Sequence, residues 1–243
     1  PAVGVEMKRR RWLTRAMREN LTGYLFASPW ILSLFLFTAY PVASAVYYSF
    51  TEYSVLQPAK WIGLRNYVEM FREDNLFWIS LSNTAYYAVF SVPLGLTVAL
   101  WLSILLNQRV PGMSFFRSTF FLPSIVPVVA ASVVWAWILN PEFSLINDIL
   151  RRLGLYRPPW LTSEVWSKPA FILMSLWGVG PTTIIFLAGL QDIPRHLYEA
   201  AEIDGAGTLQ RFASITIPML TPTIFFNLVT GIIGAFQIFA QVY

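Results

Sequence analysis

Five stretches without a single Asp, Glu, Lys or Arg dominate this sequence. They cover residues 20–51, 75–108, 118–141, 169–191 and 212–243, with lengths of 32, 34, 24, 23 and 32. All thirty charged side chains lie in the other 98 of the 243 residues. A soluble protein intersperses charge so that each element keeps a wet face; here dry stretches alternate with wet links. A hydrocarbon core about 30 Å thick is crossed by about 20 apolar residues at a rise of about 1.5 Å each. Every run is long enough. The expected fold is all-α, a polytopic transmembrane helical bundle with five spans near 23–50, 78–106, 118–139, 169–190 and 214–241. Pro29, Pro41, Pro93, Pro123 and Pro127 fall inside these spans. Each removes a helix donor, so each is expected to kink or unwind its helix locally.

The charged links set an orientation. Residues 1–19 form a basic tail with Lys8, Arg9, Arg10, Arg11, Arg15 and Arg18. Trp12, Leu13, Ala16 and Met17 recur between them at helical spacing, as in a short amphipathic helix on an anionic membrane face. With the N-terminus inside, segments 1–22, 107–117 and 191–213 hold ten Lys/Arg, and the outer loops 52–74 and 140–168 hold seven. The positive-inside rule therefore favours a cytoplasmic N-terminus, the tail carrying the vote. Ala43-Ser44-Ala45 resembles a signal-peptide cleavage site. The apolar run before it is much longer than a signal core of about 7–15 residues, so an uncleaved first span is expected.

Whole classes of chemistry are excluded. Cysteine is absent and His196 stands alone, so there is no thiolate or His-rich metal site. No lysine follows a glycine, which rules out a Walker A phosphate loop, and no G-x-S-x-G elbow is present. The net charge of +4 comes largely from the tail and does not argue for nucleic acid. The runs hold no ionisable relay, which argues against proton coupling and against a charged substrate held by a buried counter-ion. An intramembrane enzyme would need acids or metal ligands at the membrane surface. Glu142, Asp148, Asp192 and His196 are scattered and lack ligand spacing.

One link is more than a loop. In residues 191–217, Pro194 suits a helix start and Leu197 to Ile203 are good helix formers. Leu197, Ala200, Ala201 and Asp204 share one face at i+3 and i+4 spacing. Gly205 sits where a helix would end in a left-handed residue. A second helical stretch runs from about Thr208 through Leu209 and Phe212 to Ile215, before Pro218 opens the last span. By periodicity alone this is either a connecting hairpin or a plug for a groove on a soluble partner.

The spacing Glu199-Ala200-Ala201, three residues, Gly205, nine residues, Ile215, one residue, Ile217-Pro218 resembles the EAA loop of ATP-binding-cassette importer permeases. Ile217 stands where that pattern has leucine. Asp204-Gly205-Ala206 and Phe212 resemble the carbohydrate branch, the maltose and glycerol-phosphate type. The likeness continues through Phe116-Arg117, Leu122-Pro123, Pro127, Asn140-Pro141 and Ile193-Pro194, and covers roughly residues 20–243 as one transmembrane permease domain.

The resemblance implies a transporter subunit rather than an enzyme, without catalytic residues, metal or cofactor. It implies a multi-pass protein of the cell inner membrane. Its partners would be a second permease subunit, two ATP-binding subunits, an extracytoplasmic solute-binding protein and membrane lipid, but no nucleic acid. Glu199, Ala200, Ala201, Asp204, Gly205 and Ala206 would form the coupling helix that docks on the ATPase. Glu199 would pair with an ATPase arginine, and Asp204 would cap or buttress the turn at Gly205. Substrate-pathway positions would be Ser124, Val128, Gly178, Val179, Thr182, Gly231, Gly234, Ala235 and Gln237, with Trp135, Trp177 and Asn227 as further candidates. A sixth span would follow Tyr243. The implied substrate is a sugar; the alternative within the class is another small solute, such as a polyamine, phosphate or glycerol-phosphate. A membrane anchor without transport would have no reason to keep a docking pattern of this length.

Overall fold

A computed structural model describes residues 15–108, 110–142 and 145–238. Most of the basic tail and the end of the last run at Tyr243 lie outside the described residues. The chain forms two compact units, divided between Phe77 and Trp78.

In the first unit, α1 (Arg15–Leu34), a π-helical turn (Phe35–Ala39) and α2 (Tyr40–Ser49) follow without a break. Together Met17–Ser49 is long and apolar enough to cross a membrane. The wide turn ends two residues before Pro41, whose missing N–H would otherwise bond the carbonyl four residues earlier. The link after α2, expected to be a plain loop, holds a hairpin of β1 (Thr51–Ser54) and β2 (Gln57–Trp61) and then α3 (Arg65–Arg72). Thr51 faces Trp61 and Glu52 faces Lys60 in the antiparallel pair. Asn66 pins the hairpin to the helix end: its Nδ2 donates to the carbonyls of Ser49 at 2.8 Å and Thr51 at 3.0 Å. This small hairpin is a local departure from the all-α expectation.

The second unit is built on α4 (Asn75–Leu106). Its 32 residues run through Pro93 with no interruption, so the unwinding expected there does not occur. Next come α5 (Met113–Phe121), a 3-10 turn (Leu122–Ile125) and α6 (Val128–Ile138). Here the expected third span is sharply broken, with its two halves at 97°. The cause is local: Val126 precedes Pro127 and is driven out of the helical region, to ψ 127°.

The following link carries α7 (Leu145–Arg152), organised by the buried Asn147. Its Nδ2 donates to the carbonyls of Pro141 and Pro158, and its Oδ1 accepts from Trp160 Nε1 at 3.0 Å. The expected fourth span is also bent, by 51°, between α8 (Ser167–Trp177) and α9 (Gly180–Asp192). α10 (Arg195–Ile203) stands apart. α11 (Thr208–Arg211), a second π-turn (Phe212–Thr216) and α12 (Ile217–Phe236) then form one continuous helix. The last span therefore begins ten residues before Pro218, and again the wide turn ends two residues before the proline. Among the described residues three helices are long and apolar enough to cross a membrane, or five if each bent pair is one span.

α4 and α12 carry the core. Ala88 and Val92 of α4 pack with Ala235 of α12, flanked by Tyr87, Leu96 and Leu228. Further along, Leu190, Ile193 and Leu220 form a second cluster against Leu100, Ile104, Leu197, Tyr198, Ile215 and Ile224. Val89, Val133 and Phe225 stand largely exposed on spans. In lipid such faces carry no penalty.

Candidate functional site

A cavity of about 520 Å³ lies beside the first cluster. Ser91, one of its wall residues, is buried close to the midpoint of α4. Its walls come from five helices. Tyr87, Ser91, Val92, Gly95 and Leu96 line it from α4, and Val128 from the start of α6. Ser175 of α8, the bend residues Gly178 and Val179, and Thr182 of α9 face them. Asn227, Gly231, Gly234 and Ala235 of α12 close the wall, with Gln237 just beyond.

Eight of the nine positions named from the sequence are thus brought together: Val128, Gly178, Val179, Thr182, Gly231, Gly234, Ala235 and Gln237. The candidate Asn227 joins them. Ser124 does not. It lines an adjoining cavity of about 210 Å³ with Trp135 and Trp177, whose rings meet edge to face at 6.2 Å. The two cavities share Val128, Ser175 and Gly178.

None of the residues lining the larger cavity is charged. Its polar groups are hydroxyls and amides, which bind neutral hydrogen-bonding solutes without the desolvation cost of a buried ion. Asn227 is buried and its Nδ2 donates to the Thr223 carbonyl at 2.9 Å, which fixes the amide plane. The glycines of the wall differ. A Cβ on Gly231 would lie 3.1 Å from Val92 Cγ1, so this glycine serves the close approach of α12 to α4. A Cβ on Gly234 would meet nothing within 4 Å, so this glycine is not needed for packing.

The sequence reading missed the α4 contribution. Its signal was present: Ala88, Ser91, Val92, Gly95, Ala99 and Ser103 recur at i+3 and i+4, a stripe of small residues on one face.

The loop segment is a second candidate. α10 lays Leu197 and Tyr198 into the second buried cluster. Glu199, Ala200, Asp204 and Gly205 are exposed, and Ala201 and Ala206 are half-buried. The helix ends in a Schellman arrangement. Gly205 adopts φ +78°, its N–H donates to Glu202 O at 3.1 Å, and Ala206 N–H reaches back to Ala201 O at 2.8 Å. Asp204 takes part through its backbone N–H, which donates to Ala200 O at 3.0 Å; no side-chain bond of Asp204 is found among the described residues. Arg211 Nη1 sits 3.1 Å from Glu202 Oε2 and ties α11 back to α10 across the glycine turn. Two large apolar side chains stand free at this tip: Ile203 is 86% exposed and Leu209 is 80% exposed. The spacing reading did not single them out for this.

Comparison with known proteins shows the family. The family described as "Binding-protein-dependent transport system inner membrane component" matches residues 91–243. The chain is 42% identical over 233 residues to the probable ABC transporter permease protein YesP of Bacillus subtilis, covering 93% of this chain and 74% of that protein. It is 37% identical over 232 residues to the sulfoquinovosyl glycerol transport system permease protein SmoG of Agrobacterium fabrum, covering 94% and 74%. The fold is similar to a crystal structure of a bacterial ABC transporter involved in the import of the acidic polysaccharide alginate. That match has a TM-score of 0.77 and 26% identity, and covers 89% of this chain and 74% of that one. The chain therefore belongs to the binding-protein-dependent inner membrane component family, as a multi-pass permease subunit of an ABC transporter and not an enzyme.

Proposed function

We propose that this permease forms half of the translocation pathway of a sugar importer and takes its power from a separate ATPase docked on residues 195–217. The observation that carries the reading is the uncharged cavity midway along α4, walled by the same two helices that hold the loop. From Ser91 to Ile104 along α4 is about 20 Å, and from Asn227 to Thr216 along α12 about 16 Å. A movement imposed on α10 is thus delivered to the cavity through two continuous helices. Neutral hydroxyl and amide groups suit a sugar better than a polyamine or phosphate, either of which calls for opposing charge. Two of the similar proteins carry glycoside or polysaccharide names, which supports a carbohydrate as the solute class; both of those carbohydrates are acidic, so the preference for an uncharged sugar rests on the cavity lining.

The remaining partners follow from the family: a second permease to complete the pathway, two ATP-binding subunits, and an extracytoplasmic solute-binding protein that delivers substrate. The N-terminus is assigned to the cytoplasm. The links after α4 and after α9 share one cavity, which supports placing them on the same side of the membrane, as the cytoplasmic assignment requires.

Gly234→Trp tests the pathway. The indole fills the cavity from a position with free space, whereas Gly231→Trp would also displace Val92. Sugar uptake in cells carrying the full transporter is expected to fall at least tenfold with normal membrane insertion. Unchanged uptake would remove the cavity from the pathway.

A further inference from the structure

Where α4 and α9 end, the links that follow them enclose a second polar cavity of about 660 Å³. It is lined by Asn107, Gln108, Arg117, Gln191, Arg195 and Tyr198, among others. Two lining residues are arginines and none is a carboxylate. Arg117 is held in place: its Nε and Nη2 donate to the Leu106 carbonyl at 3.3 and 2.9 Å. A guanidinium has five N–H donors, so the rest of the fork is left for another acceptor. Arg195, the first residue of α10, has no ion pair or hydrogen bond among the described residues. The neighbouring carboxylates Asp192 and Glu199 do not line the cavity.

Two un-neutralised guanidinium groups around one polar cavity repel each other, and an anion between them reverses the sign of that energy. Carboxamides and hydroxyls complete a donor set for a tetrahedral oxyanion. The position adds a second argument. The cavity lies at the ends of α4 and α9, where a membrane-spanning helix leaves the hydrocarbon for the headgroup layer. Basic pockets between helix ends at that level hold acidic headgroups.

We propose that this cavity is a phosphate-binding site, filled by the headgroup of an anionic phospholipid or by a free phosphate, next to the segment assigned to ATPase docking. Arg117 supplies a fixed fork and Arg195 a second, movable cation carried on α10. Occupancy would hold α10 against the α4 end and so bias the loop's position.

The test uses the full chain in nanodiscs of phosphatidylcholine alone or of equal parts phosphatidylcholine and phosphatidylglycerol. Native mass spectrometry counts the lipids retained, and thermal melting in the phosphatidylcholine discs is followed with inorganic phosphate. Wild type is expected to keep phosphatidylglycerol in preference to phosphatidylcholine. Arg195→Gln should reduce that retention about fivefold, the worth of one basic side chain near an anionic surface, and Arg195→Lys should preserve most of it. Melting raised by inorganic phosphate in wild type but not in Arg195→Gln, without lipid retention, would assign the same site to the free anion. Arg195 is exposed and makes no side-chain bond among the described residues, so Arg195→Gln without phosphate should melt with wild type. Should it fail to fold, Arg117→Lys, which keeps the charge but loses the fork, must bind more weakly than wild type. No lipid preference and no phosphate effect in wild type, or effects that both arginine variants leave untouched, would overturn the proposal.

Discussion

The hydroxyl of Tyr198 lies 2.8 Å from Oγ1 of Thr216. This bond joins the exposed loop helix to the last residue of the π-turn through which the final span begins. Thr216 is buried, and Tyr198 also packs its ring into the Leu190–Ile193–Leu220 cluster. The two interactions separate cleanly by mutation. Tyr198→Phe keeps the ring and strands the Thr216 hydroxyl, which costs about 1–2 kcal/mol. Thr216→Val should cost a similar amount. The double variant should cost clearly less than the sum, because the bond is lost only once. Melting curves of the purified permease measure this. Solute moved per ATP hydrolysed is expected to fall in both single variants; strict additivity and unchanged coupling would show that the bond transmits nothing.

Gly180 allows α9 to start against the end of α5. A Cβ there would stand 2.7 Å from the Phe120 carbonyl oxygen and 3.2 Å from Phe121 Cα. Both are backbone atoms and cannot rotate away, so Gly180→Ala should lower stability by about 1–3 kcal/mol. Gly178→Ala is the control, since its Cβ would make an ordinary contact at 3.6 Å. Detergent-solubilised melting temperatures should separate the two. Equal melting would mean that the bend at residues 178–179 relaxes freely.

The contrast between these glycines shows what the sequence could and could not tell. Charge-free runs mark helices well, because lipid forces every backbone group to bond within its own segment. They do not mark bends. Pro127 breaks its span because Val126 can become extended before it, while Pro93 is absorbed within α4. The hairpin at residues 51–61 was hidden because its short strands are mixed polar and aromatic, and its first strand is anchored by Asn66 from outside the hairpin. The cavity wall on α12 was legible only through resemblance. The wall on α4 was legible from small-residue spacing, but close packing alone produces the same stripe, and only the convergence of five helices distinguishes a cavity from a seam.

Gly205 makes its case by φ alone. A Cβ would meet nothing within 4 Å, so the space is open, but φ is +78°. Gly205→Val should strain the turn by about 1–2 kcal/mol, while Gly205→Asn should be nearly neutral, since asparagine tolerates the left-handed region. Uptake by the full transporter should therefore fall in the valine variant and survive in the asparagine one, with equal membrane insertion. Loss in both would point to a need for the bare backbone at a partner's surface rather than for the conformation.

Ile203 and Leu209 offer the last separation, between folding and docking. Both are among the most exposed large apolar side chains of the second unit, and neither belongs to a buried cluster. On a segment outside the membrane, such surface is covered by a partner or left at a cost to solubility. Burying one such side chain contributes about 1.5–3 kcal/mol, or about a 10- to 150-fold change in affinity. Ile203→Asp should therefore leave the melting temperature of the isolated permease unchanged and sharply weaken recovery of the ATPase subunit with it. Glu199→Gln, which removes a charge without adding one to the apolar tip, should weaken recovery less. Full recovery with Ile203→Asp would mean that the tip is not buried in the complex, and docking would have to be assigned to the polar face of α10.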